Sequence, residues 1–118
     1  MAARLDRDTE AILQGTLDML VLRALQLEPM HGWGITERIE QWSEEVLCVG
    51  QGTLYPALYR LERQGLIRGR WDVRSGERRR RFYTLTPAGH RALAVQREGW
   101  NRFIRALTRM TRPRRVTP

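Results

Sequence analysis

Apolar residues recur every three or four positions in four separate stretches of the chain, and a short alternating stretch lies before the last of them. Spacing of three and four places side chains on one face of a helix, whereas alternation is typical of a strand. The first stretch predicts a core helix over residues 9–27, with Thr9 as its N-cap and Pro29 as a stop signal. After a turn over residues 30–34, the second stretch predicts a short helix over residues 35–43.

The third stretch predicts a helix between Gly50 and Gln64, with Gly65 as the glycine that commonly follows a helix end. Pro56 lies inside this stretch, where it removes a backbone hydrogen bond at a cost of about 3 kcal/mol. The regular helix therefore begins either nearer Tyr55 or with a distorted first turn.

The third helix has two faces of different character. Its inward face is apolar and consists of Leu54, Leu58 and Leu61. Its outward face is expected to carry Tyr59, Arg60 and Arg63, together with Gln51 and Thr53 at the start of the helix.

Residues 66–73 and 78–85 alternate and predict a two-stranded hairpin whose turn is formed by residues 74–77. Ile67, Trp71 and Val73 share one face of the first strand, and Tyr83 and Leu85 share one face of the second. Arginine occupies all four positions from 78 to 81, so the tip of the hairpin is strongly positive. Because an isolated hairpin is barely stable, it must pack on the helices.

Thr86 and Pro87 read as the N-cap and first residue of a fourth helix that ends near Met110. Its apolar positions are spaced alternately three and four residues apart, a seam that packs against another helix. The seam contains Leu93, Gln96, Trp100, Phe103, Leu107 and Met110, and Ile104 widens it. Gly99 costs about 1 kcal/mol relative to Ala, which a close contact would justify. Residues 111–118 are expected to be a disordered basic tail.

The 118-residue chain carries 21 basic and 13 acidic residues, a net charge of +8, and every basic residue is arginine. The charge is uneven: residues 1–59 have a net charge of −5, residues 60–81 of +6 and residues 82–118 of +7. The arginine excess is consistent with the codon bias of a GC-rich genome. Guanidinium groups also bind phosphate and guanine edges bidentately, so a polyanionic partner is expected.

The sequence lacks the residues that several classes of protein need, so these classes are excluded. The longest uncharged run is interrupted by glycines and a proline, and the N-terminus holds no apolar signal stretch, so a cytoplasmic protein without a membrane segment is expected. Cys48 is the single cysteine, which excludes an internal disulfide and a zinc finger. No nucleophile–base pair or metal-ligand cluster is recognisable, so we expect neither an enzyme nor a cofactor. His31 precedes a helix and is expected to cap it.

Three helices followed by a basic hairpin are the element order of a winged helix-turn-helix. The expected fold is mainly α with a two-stranded β-wing: a DNA-binding domain over residues 9–86 and a C-terminal dimerisation helix over residues 87–110. A helix fits the major groove, and a positive loop reaches neighbouring phosphates. The candidate DNA-binding residues are Gln51, Thr53, Tyr59, Arg60, Arg63, Arg74, Arg78, Arg79, Arg80 and Arg81.

The segment GTLYPALYRLERQGLI, residues 52–67, closely resembles the signature of the PadR family of bacterial transcriptional regulators. Residues 15–22 (GTLDMLVL) and 31–35 (HGWGI) resemble the family's first helix and second-helix entry. Residues 79–89 (RRRFYTLTPAG) are similar to its wing and final-helix start. Two positions depart from the family pattern: Gly50 replaces a polar N-cap and Trp33 replaces a common tyrosine.

The resemblance implies a homodimer, usually a repressor, that binds a near-palindromic operator and is paired through its final helix. The short final helix resembles the compact branch of the family. The candidate dimerisation residues are Leu93, Trp100, Phe103, Ile104, Leu107 and Met110. Some relatives bind aromatic small molecules at the dimer interface, so Trp100 is the candidate contact for a small aromatic effector. The alternative class, a basic adaptor for RNA or a protein partner, is disfavoured because an RNA-stacking sheet motif is absent.

Overall fold

The computed structural model describes residues 7–72 and 79–115, with side chains from residue 15 onward, and this part of the chain contains four helices and three short strands. In chain order they are α1 (Arg7–Ala24), β1 (Met30–His31), α2 (Gly32–Trp42), α3 (Gln51–Arg63), β2 (Ile67–Asp72), β3 (Arg80–Leu85) and α4 (Pro87–Thr111). The mainly α fold with a β-wing is confirmed. α1 starts before the predicted cap Thr9 and ends three residues before the predicted end at residue 27.

The sheet has one strand more than the sequence predicted. Met30 and His31 pair with Tyr83 and Phe82, giving an antiparallel sheet of order β1-β3-β2. The prediction of a turn over residues 30–34 is therefore wrong, because a two-residue strand is too short to show alternation. β2 and β3 pair as the two predicted strands of the wing, and β1 adds a third strand beside β3. α2 begins directly after β1, at Gly32.

α3 begins at Gln51 and continues through Pro56. The helix therefore starts with a tightened first turn rather than at a later residue. The N–H groups of Thr53 and Leu54 both donate to the Gly50 carbonyl, at 3.1 and 3.0 Å. At the other end Gly65 has a φ of +75°, as its predicted role after the helix requires. The Leu66 N–H donates to the Leu61 carbonyl at 3.0 Å, which closes the helix end.

One hydrophobic core lies where the four helices meet the sheet. It contains Leu54, Leu58 and Leu61, which confirms the predicted inward face of α3. α1 supplies Val21 and Leu22, α2 supplies Ile35, and the sheet supplies Ile67, Tyr83 and Leu85.

α4 is fixed to the core at its first turns only. The Thr86 hydroxyl accepts a hydrogen bond from the Gly89 N–H at 3.0 Å, which confirms the predicted N-cap. Gly89 lies against the Leu66 carbonyl so closely that a Cβ could not be accommodated. From residue 101 to residue 115 every residue is exposed. The radius of gyration is 17.3 Å, whereas a compact chain of this length has about 13.5 Å.

Candidate nucleic-acid interface

The outward face of α3 is a strip of polar and aromatic side chains. Thr53, Tyr59 and Arg63 are all exposed, Tyr59 to 66%, as the sequence predicted. The Arg63 guanidinium carbon lies 5.8 Å from the centre of the Tyr59 ring, so the two side chains form one surface. Tyr55, half exposed one turn earlier, belongs to the same strip. It was not among the predicted residues, although its spacing of four residues from Tyr59 signals a shared face.

Arg60 and Gln51 do not lie on this strip as expected. An Arg60 guanidinium nitrogen lies 2.7 Å from an Asp18 carboxylate oxygen on α1, and the Arg60 side chain is largely covered. The Gln51 amide donates to the Thr36 hydroxyl at 3.2 Å. The predicted outward orientation of Arg60 is wrong because an acidic group on the neighbouring helix draws it inward.

The Asp18–Arg60 pair connects α1 to α3, but burying the Asp18 carboxylate has a desolvation cost. Burial raises the pKa of Asp18 above its usual 3.8, and this effect exceeds the opposing attraction of Arg60. The pair therefore fixes the position of α3 on α1 rather than adding much net stability.

Of the described arginines in the run over residues 78–81, two are exposed and the third is engaged within the chain. Arg79 and Arg80 are exposed, while a guanidinium nitrogen of Arg81 lies 2.6 Å from a Glu62 carboxylate oxygen. The same oxygen accepts a hydrogen bond from the Gly69 N–H at 3.2 Å. Because any side chain at position 69 would collide with the Arg81 guanidinium, Gly69 permits this arrangement. Arg81 thus attaches the wing to the end of α3.

Trp71 is 56% exposed, although it shares a strand face with the buried Ile67. Unlike Ile67, Trp71 is not part of the hydrophobic core. The Arg79 and Arg81 guanidinium carbons lie 5.9 and 5.5 Å from the centre of its ring instead. Nearby, burial raises the pKa of the Tyr83 hydroxyl above its usual 10.0. Val73 and the predicted DNA-binding residues Arg74 and Arg78 lie outside the described part of the chain.

The predicted dimerisation seam divides at Trp100. Leu93 is 1% exposed and belongs to the chain's own core, so its prediction as a dimer contact is wrong. Beyond Trp100 the apolar residues are exposed: they are Phe103, Ile104, Leu107 and Met110. A Cβ on Gly99 would meet nothing within 4 Å, so the expected close contact is absent from the described chain. α4 extends through Thr111, the first residue of the predicted tail, and residues 116–118 lie outside the described part.

A cavity of about 340 Å³ lies between α1 and α4, beside Trp100. The Trp100 ring is partly buried, and its centre is 5.5 Å from that of Phe103. Met19 and Gln96 complete the cavity walls. The Gln96 side-chain oxygen is buried and has no hydrogen-bond partner among the described residues.

Two further features bear on the kind of site. Within residues 7–72 and 79–115, no three His, Cys, Asp or Glu side chains are grouped so that they could hold a metal ion. Among the same residues, no helix is both long and apolar enough to cross a membrane.

Comparison with known sequences gives a family match across most of the chain. Residues 21–95 match the model of the Transcriptional regulator PadR-like family. Transcriptional regulator Rv3488 of Mycobacterium tuberculosis is 40% identical over 76 residues, which cover 64% of this chain and 67% of that protein. A 37.1 kDa protein in transposon TN4556 of Streptomyces fradiae is 45% identical over 75 residues, which cover 64% of this chain. The match spans only 20% of that longer relative.

Solved structures share the same architecture. A transcriptional regulator from Clostridium thermocellum superposes with a TM-score of 0.78 at 24% identity, covering 86% of this chain and 99% of that one. PadR of Bacillus subtilis in complex with operator DNA superposes with a TM-score of 0.62 at 20% identity, covering 86% of this chain and 51% of that one. At these identities the likeness establishes a winged-helix fold.

Proposed function

Since this chain belongs to the PadR-like family of transcriptional regulators, we propose that it binds duplex DNA as a homodimer and represses transcription from a near-palindromic operator. In this proposal α3 enters the major groove and the wing lies over the adjoining backbone.

One observation carries the proposal: the exposed strip of α3 and the exposed arginines of the wing are separate surfaces of one rigid unit. Tyr59 and Arg63 present a hydrogen-bonding surface of the kind that reads base edges. Arg79 and Arg80 present exposed positive charge on the wing, which suits phosphate contacts. The Arg81–Glu62 bond supports this division because it holds the wing at a fixed position relative to α3.

The homodimer is supported by the exposed apolar residues of α4. Phe103, Ile104 and Leu107 are large apolar side chains that remain 43–51% exposed on the outer half of the helix. A second copy of α4 would cover them, as helices with this spacing pair. Two α3 helices related by a two-fold axis would then contact half-sites about 34–36 Å apart, one turn of DNA.

A small aromatic effector is the remaining part of the proposal. The cavity beside Trp100 lies at the base of the proposed dimer helix, so a ligand there would alter the angle between the two chains. The buried Gln96 oxygen offers this ligand a hydrogen-bond acceptor.

Selection of bound duplexes from random DNA tests the proposal. The selected sites should share two inverted half-sites with centres about 10 base pairs apart. Selected sites without a dyad would contradict the homodimer. Selection of RNA or a protein partner in preference to duplex DNA would favour an adaptor instead.

Arg63→Ala and its matched control Arg97→Ala then test the division of roles on the selected site. Removing a base-reading side chain costs about 1–3 kcal/mol, so Arg63→Ala should lower the ratio of selected-site to random-DNA affinity by about tenfold. Arg97 is exposed on α4, and its replacement should leave the ratio unchanged. An unchanged ratio in Arg63→Ala would exclude Arg63 as a base-reading residue.

A further inference from the structure

A cavity of about 620 Å³ lies between the start of α2, the middle of α3 and the wing. Of its lining residues, the proposed function gives only Tyr55, Arg79 and Arg80 a part in contacting DNA. None of the described residues that line it is acidic. Its aromatic and cationic lining includes His31, Trp33, Tyr55, Trp71, Arg79 and Arg80. A concave surface with this charge fits an anion.

His31 places a hydrogen-bond donor at this cavity. Its Nδ1 accepts a hydrogen bond from the Gly34 N–H at 3.1 Å, which caps α2. An accepting Nδ1 carries no hydrogen, so in the neutral ring the hydrogen is on Nε2. The ring packs edge-on against Phe82, with centres 5.4 Å apart, so the direction of the Nε2–H is fixed.

A second donor faces the first. A guanidinium nitrogen of Arg80 lies 3.5 Å from His31 Nε2, and a guanidinium has no acceptor atom. Two donors pointed at each other are satisfied together only when an acceptor approaches both. An oxyanion does so with a charge-assisted hydrogen bond from each. Asp72 lies opposite Arg80 in the β2–β3 ladder but does not line the cavity.

The location of this pair indicates which oxyanion it would meet. The cavity reaches the outward strip of α3 at Tyr55, and it reaches the wing at Trp71 and Arg79. A DNA strand that separates a major groove occupied by α3 from a minor groove beside the wing must pass between these two elements.

We propose that His31 Nε2 and the Arg80 guanidinium together bind one backbone phosphate of the DNA strand that passes between α3 and the wing. The inference rests on the proposed function and adds a phosphate site to it. The hydrogen bond by which His31 caps α2 then also orients the Nε2–H that donates to the phosphate.

Two variants and one control separate this site from other contacts. His31→Asn keeps a side-chain oxygen able to cap α2, but it is too short to bring a donor to Arg80. Arg80→Gln removes the second donor's charge from an exposed position. Arg91→Gln removes an equally exposed charge on α4.

The measurement is the affinity of each protein for the selected duplex, with each phosphate replaced in turn by a neutral methylphosphonate. For the wild type, neutralising one phosphate in each half-site should weaken binding by about tenfold or more. His31→Asn and Arg80→Gln should lose sensitivity to that same phosphate, and Arg91→Gln should keep it. If both variants retain the wild-type sensitivity at every phosphate, the inference is wrong.

These outcomes are distinguishable from failure of the proposed function. An error in this inference leaves the wild-type preference for selected over random duplex intact, whereas loss of that preference contradicts the proposed function itself. Circular dichroism checks that His31→Asn is folded. If it is not, Arg80→Gln, an exposed replacement, still tests the site, because wild-type sensitivity at every phosphate in this variant would contradict the inference.

A free phosphate ester presents the same chemistry as a backbone phosphate. Titration of the DNA-free protein with inorganic phosphate, and separately with a nucleoside monophosphate, distinguishes the two sources through the nuclear magnetic resonance signals of the His31 ring. Absence of saturable binding below millimolar concentration supports the backbone phosphate. Saturable binding that His31→Asn abolishes would assign the site to a free anion and overturn the inference.

Discussion

The winged part of the chain (α1–α3 and the sheet) and the outer half of α4 (residues 101–111) are both rich in arginine. They differ in how far their apolar side chains are buried, and their arginines paired, within one chain. In the winged part, leucines of α1 and α3 are fully buried, and Arg60 and Arg81 pair with carboxylates. In α4 beyond Trp100, every described residue is exposed, including Leu107 and Met110. The first region has its own hydrophobic core, whereas the exposed apolar residues of the second form the surface that we propose a second copy covers.

The largest expected effect is a loss of folding stability, and it is found by comparing the replacement of one leucine in each region. Leu58→Ala leaves a cavity in the core and should lower the free energy of unfolding by about 2–5 kcal/mol. Leu107→Ala removes an exposed side chain, so it should change the stability of the isolated chain little and weaken self-association instead. Urea unfolding at several protein concentrations measures both. Equal, concentration-independent losses in the two variants would contradict the contrast between the regions.

The next effect concerns the boundary between the regions. Trp100→Ala should weaken dimerisation by about tenfold or more, because a large aromatic surface at the proposed interface is removed. Val95→Ala is the matched control, since Val95 is exposed on the same helix but outside the seam. Sedimentation equilibrium distinguishes the two variants. If Trp100→Ala stays dimeric at micromolar concentration, the interface lies elsewhere.

Wing arginines provide a third comparison, between exposed and engaged side chains. Replacing both Arg79 and Arg80 should weaken all duplexes alike and reduce the slope of log affinity against log salt by about 0.9 for each phosphate that is no longer bound. Arg81→Gln should change this slope less, because Arg81 is engaged by Glu62. Binding to one random duplex over a series of salt concentrations tests this. An equal change of slope in Arg81→Gln would show that all three bind phosphate alike.

The smallest expected effect is a pH dependence within the winged part. The raised pKa of Asp18 means that the folded chain binds a proton more readily than the unfolded chain. Asp18 therefore favours folding at low pH, and this contribution is lost as pH rises from about 3.8 through the raised value. The difference in unfolding free energy between wild type and Asp18→Asn, measured across this range, isolates the effect. A difference that instead grows in favour of the wild type as pH rises would contradict it.

The sequence predicted those parts of the fold that depend on periodicity. The four helices, the inward face of α3, the Thr86 cap and the Gly65 helix end all follow from local patterns. The short strand β1 could not be predicted, because its two residues are defined by pairing with β3, about fifty residues away along the chain.

The candidate interface was predictable to a similar extent. The exposure of Tyr59, Arg63, Arg79 and Arg80 follows from their spacing and charge. The inward turn of Arg60 depends on Asp18, and the position of Arg81 depends on Glu62 and the missing side chain at Gly69. Such pairings join residues that are distant in sequence, so no local pattern contains them.

The central claim is that this chain recognises a particular DNA sequence. The most direct test is the affinity of the wild-type protein for the selected duplex and for a scrambled duplex of equal length and composition, at one salt concentration. We expect the selected duplex to be bound about 10³-fold more tightly or better. Equal affinity for the two duplexes would contradict it.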